Sequence, residues 1–181
     1  MLPEHHHDER GDQRAAGHIE AFLTGPTAPP RAPHPSSRER RPLTLDTRQD
    51  WVTALRYEAA RHARYGRPAS VLLVGLRGSP PEPAVERLAL AIADVIRAEA
   101  RETDRAVRTG RLTFRLLLPE TGGRAARSLA ERLERAYRSV PDGQAEGVAL
   151  TVEVATAPPS GRLEDAVTEA EVRFDARSAA G

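Results

Sequence analysis

The chain has 181 residues, with 27 basic and 26 acidic side chains and a formal net charge of +1. This length fits one domain of ordinary size with a tail, and two full domains would not fit comfortably. The absence of cysteine and lysine excludes disulfides, thiolate nucleophiles, Schiff-base chemistry and a phosphate-loop lysine. Arginines are interleaved with acids along the chain, so no basic patch indicates a nucleic-acid partner.

The first 42 residues differ in composition from the rest of the chain. Residues 1–42 hold seven of the fifteen prolines and five of the six histidines, which predicts a disordered tail. Within this tail, Ile19, Phe22 and Leu23 can share a helical face, either as a docking motif that folds on a partner or as a fluctuating helical turn. The run His5-His6-His7 is expected to bind metal only adventitiously, because a flexible run builds no fixed geometry.

No apolar run approaches the roughly 20 residues that a membrane span needs. The N-terminus also lacks the apolar core of a signal peptide. We therefore expect a cytoplasmic protein with no membrane partner.

From Leu43 onward the pattern becomes that of an α/β domain, which we assign to residues 43–181. A helix comes first, with Asp46 or Thr47 as its N-cap. Its inward stripe is Trp51, Leu55, Ala59 and His62. His62 is interpreted as a boundary residue at the frayed end of this helix, because no second histidine or cysteine lies in register with it.

The next elements alternate between strands and helices. Residues 69–76 are continuously apolar and predict a central strand, which a Pro-rich break over residues 78–83 separates from an amphipathic helix over residues 84–101. A β-hairpin follows over residues 101–120, with its turn at Thr109-Gly110-Arg111. Its second strand alternates Leu112, Phe114, Leu116 and Leu118 with polar residues.

The last part of the chain predicts a helix over residues 123–139, a strand over residues 148–154 and a final helix from Leu163. The full order is helix, strand, helix, hairpin, helix, strand, helix. A mostly antiparallel central sheet flanked by helices satisfies this order, as in the ferredoxin-like arrangement of the α+β class.

The hairpin also carries a family signal. Arg108 to Phe114 reads RTGRLTF and Leu116 to Thr121 reads LLLPET. These segments resemble the R-x-G-G-D-E-F turn and the L-P-E-T strand end of the GGDEF family, the diguanylate cyclases. Segments near Leu43, Leu150 and Ala170 resemble the opening, the last strand and the closing helix of the family in the same order. The resemblance implies the nucleotide-cyclase fold over about residues 43–180.

The chain departs from the family at the positions that carry its chemistry. Gly75-Leu76-Arg77 stands where the family has the metal-binding D-x-D, and Gly110-Arg111-Leu112-Thr113 stands where it has G-G-D-E. Arg177 stands for a phosphate-contacting lysine. Neither leucine nor threonine at the acidic positions can hold the hard cation that this chemistry needs. The resemblance therefore implies a degenerate domain that has no catalytic residue, binds no metal or cofactor, and is not an enzyme.

One binding element of the family is kept. Arg101-x-x-Asp104 stands five residues before Gly110, where many members bind cyclic di-GMP. The first functional hypothesis is an inactive regulatory or protein-interaction module in bacterial signalling, with an unidentified protein partner. The alternative is a cyclic di-GMP receptor that uses Arg101 and Asp104. A third hypothesis, an active diguanylate cyclase, is disfavoured by the missing acids.

Overall fold

The computed structural model describes residues 43–141 and 148–179. The predicted tail over residues 1–42 lies outside them, together with the Ile19 segment and the triple histidine. All elements of the predicted α/β domain fall within the described residues.

Four helices and four strands make up the described part of the chain. In order they are α1 (Arg48–Tyr65), β1 (Ala69–Arg77), α2 (Val85–Glu99), β2 (Arg105–Arg108), β3 (Thr113–Leu118), α3 (Gly123–Ser139), β4 (Ala149–Ala157) and α4 (Leu163–Ala179). A 3-10 turn, Glu82–Ala84, leads into α2.

The strands form one sheet in the order β2-β3-β1-β4, and every neighbouring pair is antiparallel. The central strand β1 pairs with β3 up to Gly75 opposite Thr113, and with β4 up to Arg77 opposite Ala149. The predicted fold class is therefore confirmed, with three long strands in one sheet and helices packed on it.

Each face of the sheet has its own core because side chains alternate along every strand. The face under α2 and α3 buries Leu72, Val74, Phe114, Leu116, Ile92 and Leu133. The face under α1 and α4 buries Val71, Leu73, Leu117, Trp51, Leu163 and Ala170. Helices on both faces explain why β1 is apolar from Val71 to Leu76.

The segment before α1 is anchored to the edge of the sheet. Leu43 is 5% exposed in the first core. Asp46 bridges to Val107 in parallel, and its carboxylate accepts two hydrogen bonds from Arg105, at 2.8 and 2.5 Å. Thr47, rather than Asp46, is therefore the N-cap, and its hydroxyl oxygen accepts from the Asp50 N–H at 3.1 Å.

Three sequence-based boundaries need correction. His62 does not lie at a frayed end, because α1 continues to Tyr65 and the imidazole is 1% exposed. The helix predicted to reach Arg101 ends at Glu99, because the next residues form a turn closed by a hydrogen bond from the Arg101 N–H to the Asp104 carboxylate. The second hairpin strand begins at Thr113, since Leu112 belongs to the turn.

The domain boundary can be tested by truncation. A chain beginning at Arg41 is expected to unfold cooperatively with the parent's free energy, because the described core begins at Leu43. A chain beginning at Arg48 lacks a buried leucine, worth about 2–5 kcal/mol, and a helix cap, worth about 1 kcal/mol. Urea denaturation of the three proteins measures this difference. Loss of cooperativity in the longer truncation, or equal stability of both truncations, would contradict the boundary.

Candidate functional site

The β2–β3 turn is closed by its own backbone and by one arginine. The N–H groups of Thr109 and Gly110 both donate to the Thr113 carbonyl, at 2.9 and 3.2 Å. The Arg108 guanidinium folds back over the turn and donates to the carbonyls of Gly110 and Arg111, at 3.2 and 2.6 Å. The turn is therefore held by hydrogen bonds within the hairpin.

Two ion pairs tie this turn to the start of α2. Arg108 forms a bidentate pair with Glu86, at 2.8 and 2.9 Å, and Arg111 pairs with Glu82. A hydrogen bond from the facing arginine lowers the pKa of each glutamate. Arg111, which stands for the second glycine of the family turn, is thus engaged with the short loop before α2.

Gly75 lies at the end of β1, opposite Thr113 on β3 and Thr151 on β4. A Cβ atom built at Gly75 would lie 2.4 Å from Cζ of Phe174 on α4. The phenyl ring therefore fills the space that a side chain at position 75 would need. A carboxylate at this point of the sheet would have to displace the ring.

Arg77 and Arg177 bind groups within the domain. The Arg77 guanidinium donates to the carbonyl of Arg177 at 2.7 Å, which joins the end of β1 to the end of α4. Nε of Arg177 lies 2.7 Å from a carboxylate oxygen of Glu153, which is 7% exposed on β4. The arginine that stands for the family's phosphate-contacting lysine is therefore paired with a buried acid.

The family's chemistry uses a divalent cation, and the residues at the matching positions do not fit one. Gly75, Leu112 and Thr113 offer no carboxylate, and the Arg77 guanidinium would repel a cation. Among residues 43–141 and 148–179, no three acids or histidines are placed to hold a metal ion. No catalytic step can be assigned through a metal at these positions.

Arg101 and Asp104 lie together in the α2–β2 turn. The Asp104 carboxylate accepts from the Arg101 N–H at 2.7 Å, and the Arg101 carbonyl accepts from the Asp104 N–H at 3.0 Å. Asp104 is 4% exposed, whereas the Arg101 side chain is open to solvent. Burial raises the pKa of Asp104, against a smaller opposing effect of the hydrogen bond from Arg101.

A second arginine converges on this pair from α3. Arg132 lines the same small cavity of about 30 Å³ as Arg101 and Asp104, although its side chain also binds Glu99, at 2.9 Å to the carboxylate. A larger neighbouring cavity of about 630 Å³ is lined by Arg101, Arg61, Arg105 and Glu120. Arg101 therefore lies where the two cavities adjoin. Its guanidinium forms no ion pair with any other described residue.

Glu120 forms the far wall of the larger cavity in a left-handed conformation, with φ of 49°. One carboxylate oxygen accepts from Arg67 at 2.5 Å and from Arg61 at 2.6 Å. These arginines lower the pKa of Glu120, with Arg67 as the main cause. The acid therefore remains charged and keeps Arg61 beside the cavity.

The sequence patterns did not predict contacts between residues that lie far apart in the chain. Arg132 lies 31 positions after Arg101, and only the packing of α3 beside the α2–β2 turn brings them together. Phe174 lies beside Gly75 because of the register in which α4 packs on β1. Neither contact leaves a local pattern in the sequence.

Solved structures of known proteins share this arrangement. The diguanylate cyclase SiaD of Pseudomonas aeruginosa, solved in complex with its activator SiaC, is 26% identical with a TM-score of 0.60, over 77% of this chain and 58% of that one. The active GGEEF domain of a diguanylate cyclase from Vibrio cholerae is 18% identical with a TM-score of 0.62, over 71% of this chain and 87% of that one. The described residues form a GGDEF-like domain.

A third structure of this GGDEF-like fold was solved with cyclic di-GMP. It is the GGDEF domain of DgcB from Caulobacter crescentus, 17% identical with a TM-score of 0.61, over 78% of this chain and 94% of that one. No protein-family model and no curated protein matches the sequence. The fold predicted from the hairpin resemblance is therefore confirmed by structural similarity.

The expectation that the chain is not an enzyme is wrong. The GGDEF-like fold is that of diguanylate cyclases, including a domain described as active. The missing acids are a property of the four matched positions and do not establish that the domain lacks activity.

None of the described helices is long and apolar enough to cross a membrane.

The packing of Phe174 against Gly75 yields a prediction about stability. Gly75→Ala should destabilise the GGDEF-like domain by about 1–3 kcal/mol, because the added methyl group overlaps the ring. In a Phe174→Ala background the same change should cost much less, since the ring is gone. A double-mutant cycle by urea denaturation measures the coupling. Equal costs in both backgrounds would show that the ring does not set the requirement for glycine.

Burial of Asp104 yields a prediction about pH. Because the folded-state pKa is raised above the ordinary value of 3.8, the ionised carboxylate costs stability, and this cost appears as pH rises through the raised pKa. Asp104→Asn should therefore gain stability relative to the parent as pH rises from about 4 to 7. The exposed Asp94→Asn is the control. A difference that is constant with pH, or that falls as pH rises, would contradict the burial argument.

Proposed function

We propose that this GGDEF-like domain is a regulatory domain of bacterial signalling that binds cyclic di-GMP through Arg101 and Asp104. The observation that supports this function best is the convergence of Arg101, Asp104 and Arg132 on one cavity. The sequence motif supplies only the first two. Arg132 from α3 adds a second guanidinium beside them, and this guanidinium is paired with the Glu99 carboxylate.

The chemistry of these groups suits the ligand. A guanidinium can form two parallel hydrogen bonds with a phosphate or with the acceptor edge of guanine. The Asp104 carboxylate accepts hydrogen bonds, as the N–H groups of guanine require. Arg101 is exposed and without an ion pair among the described residues, so binding need not first break one.

The size of the adjoining cavity also suits the ligand. Its volume of about 630 Å³ falls in the range of roughly 300–1,000 Å³ that is typical of small-molecule sites. Three arginines and two glutamates line it, so its wall carries a net positive charge. The other two arginines are already bound to acids, Arg105 to Asp46 and Arg61 to Glu120, which leaves Arg101 as the first contact for an anion.

A second candidate function is a protein-interaction module. Its support is the neighbour SiaD, which was solved with a protein activator and is 26% identical to this chain.

The domain limits of residues 43–181 and a cytoplasmic location remain proposals that rest on the sequence.

Isothermal titration calorimetry with cyclic di-GMP tests the receptor function. The parent should bind at micromolar ligand concentrations, and Arg101→Ala should weaken binding by about ten- to a hundred-fold, because a charge-assisted hydrogen bond is worth about 1.5–3 kcal/mol. Arg132→Ala should weaken binding as well. Asp104→Asn should cost less than Arg101→Ala, since the amide keeps one acceptor.

Arg135→Ala is the matched control, because this exposed α3 arginine is not among the residues that line either cavity. It should leave the affinity unchanged. Binding that survives Arg101→Ala would place the nucleotide elsewhere on the domain. No binding to the folded parent would reject the receptor function and leave the protein-interaction module.

A further inference from the structure

The backbone on both sides of Glu120 fixes where its carboxylate lies. Its φ of 49° is the only positive value of a non-glycine residue in the described part of the chain. This left-handed conformation strains a residue that has a Cβ atom, and such strain is common at functional sites. The next residue, Thr121, is buried, and its carbonyl accepts from the Ser70 hydroxyl at 2.7 Å. The Thr121 hydroxyl donates to the Pro119 carbonyl at 2.9 Å, so the strained backbone is held from both sides.

The Glu120 carboxylate has two cations as partners. One of its oxygens accepts from Arg67 at 2.5 Å and from Arg61 at 2.6 Å. Exposed ion pairs contribute little to stability, and a glycine would adopt this backbone conformation without strain. The stability of the fold alone therefore does not explain a glutamate at this position.

The Arg61 guanidinium is bound at both of its ends. Its Nη1 donates to Glu58 at 3.1 Å, and its Nη2 donates to Glu120 at 2.6 Å. Glu58 is 5% exposed, whereas the Glu120 side chain is 46% exposed, so the first contact is sheltered from water and the second is not. Glu58 therefore holds Arg61 in place when Glu120 moves away. The Nη2 group is then open to another anion.

Arg61, Glu120 and Arg101 line the same cavity of about 630 Å³. A phosphate that binds Arg101 from this cavity has Arg61 in the same wall as a second cation. In the structure Glu120 occupies this second cation. The other glutamate of the wall, Glu102, forms no ion pair with any other described residue.

We propose that Glu120 is an internal competitor of the ligand, because its carboxylate occupies the Arg61 donor that a phosphate of cyclic di-GMP would otherwise bind. This inference rests on the proposed receptor function. A carboxylate and a phosphate are both anionic acceptors that bind a guanidinium in the same way. Full contact with the ligand therefore requires Glu120 to release Arg61, and this exchange of anions lowers the affinity of the site.

Calorimetric titration of cyclic di-GMP into Glu120→Gln tests the competition. The amide keeps the length of the side chain but loses the charge that binds Arg61 and Arg67. The variant should bind cyclic di-GMP about three- to tenfold more tightly than the parent, a range that corresponds to the loss of weak, exposed ion pairs. Urea denaturation should show a folded variant with nearly the stability of the parent.

Glu102→Gln is the matched control. Glu102 lines the same cavity and carries the same charge, but it binds no arginine of the wall. Its loss makes the wall more positive to the same degree without releasing Arg61, so the affinity should rise much less than in Glu120→Gln. Equal gains in the two variants would show a general effect of charge and would overturn the competition.

The part played by Arg61 is tested in a second background. When Arg61→Gln is already present, Glu120→Gln should raise the affinity no more than Glu102→Gln does, because the donor to be released is gone. The full gain in that background would contradict the proposal. If Arg61→Gln does not fold because Glu58 loses its partner, the comparison of Glu120→Gln with Glu102→Gln decides.

The same titrations separate this inference from the receptor function. If the parent binds cyclic di-GMP and Glu120→Gln binds it equally or more weakly, the competition is overturned and the receptor function stands. If neither protein binds cyclic di-GMP, both are rejected.

Discussion

The whole domain depends on β1, a strand that is buried on both faces and paired along both edges. It hydrogen-bonds to β3 on one side and β4 on the other, and its alternate side chains enter two separate cores. Burying one large apolar side chain contributes about 1.5–3 kcal/mol, so residues such as Leu72 and Val74 stabilise the sheet strongly. The register of β1 then fixes which residues meet at its end, where Gly75 and Arg77 lie.

At that end of the sheet, the residues that match the family's functional positions contact other groups of the same domain. Phe174 fills the space beside Gly75, Arg77 and Arg177 bind within the domain, and Arg108 closes the hairpin turn. The α2–β2 turn differs, because its Arg101 side chain remains exposed beside a cavity. Arg101 is therefore an exposed cation beside that cavity.

The sequence predicted the fold well because its signals are local. The apolar run of β1, the alternation of β3 and the turn residues around Gly110 each determine structure within a few neighbours. The sequence did not predict Arg132 beside Arg101, Phe174 against Gly75, or the carbonyls around His62. These contacts join residues far apart in the chain, and they follow from how helices pack on the sheet rather than from any residue pattern. His62 was misjudged for this reason, since its Nε2 lies 3.0 and 3.1 Å from the carbonyl oxygens of Pro158 and Gly161, which are 96 and 99 positions away.

We propose that the α2–β2 turn of this domain binds cyclic di-GMP. A crystal structure of the chain grown with cyclic di-GMP tests it most directly. The account predicts the nucleotide in contact with the Arg101 guanidinium and the Asp104 carboxylate, with Arg132 within reach of a phosphate. A nucleotide bound at the β2–β3 turn instead, or crystals without bound nucleotide at saturating concentration, would contradict it.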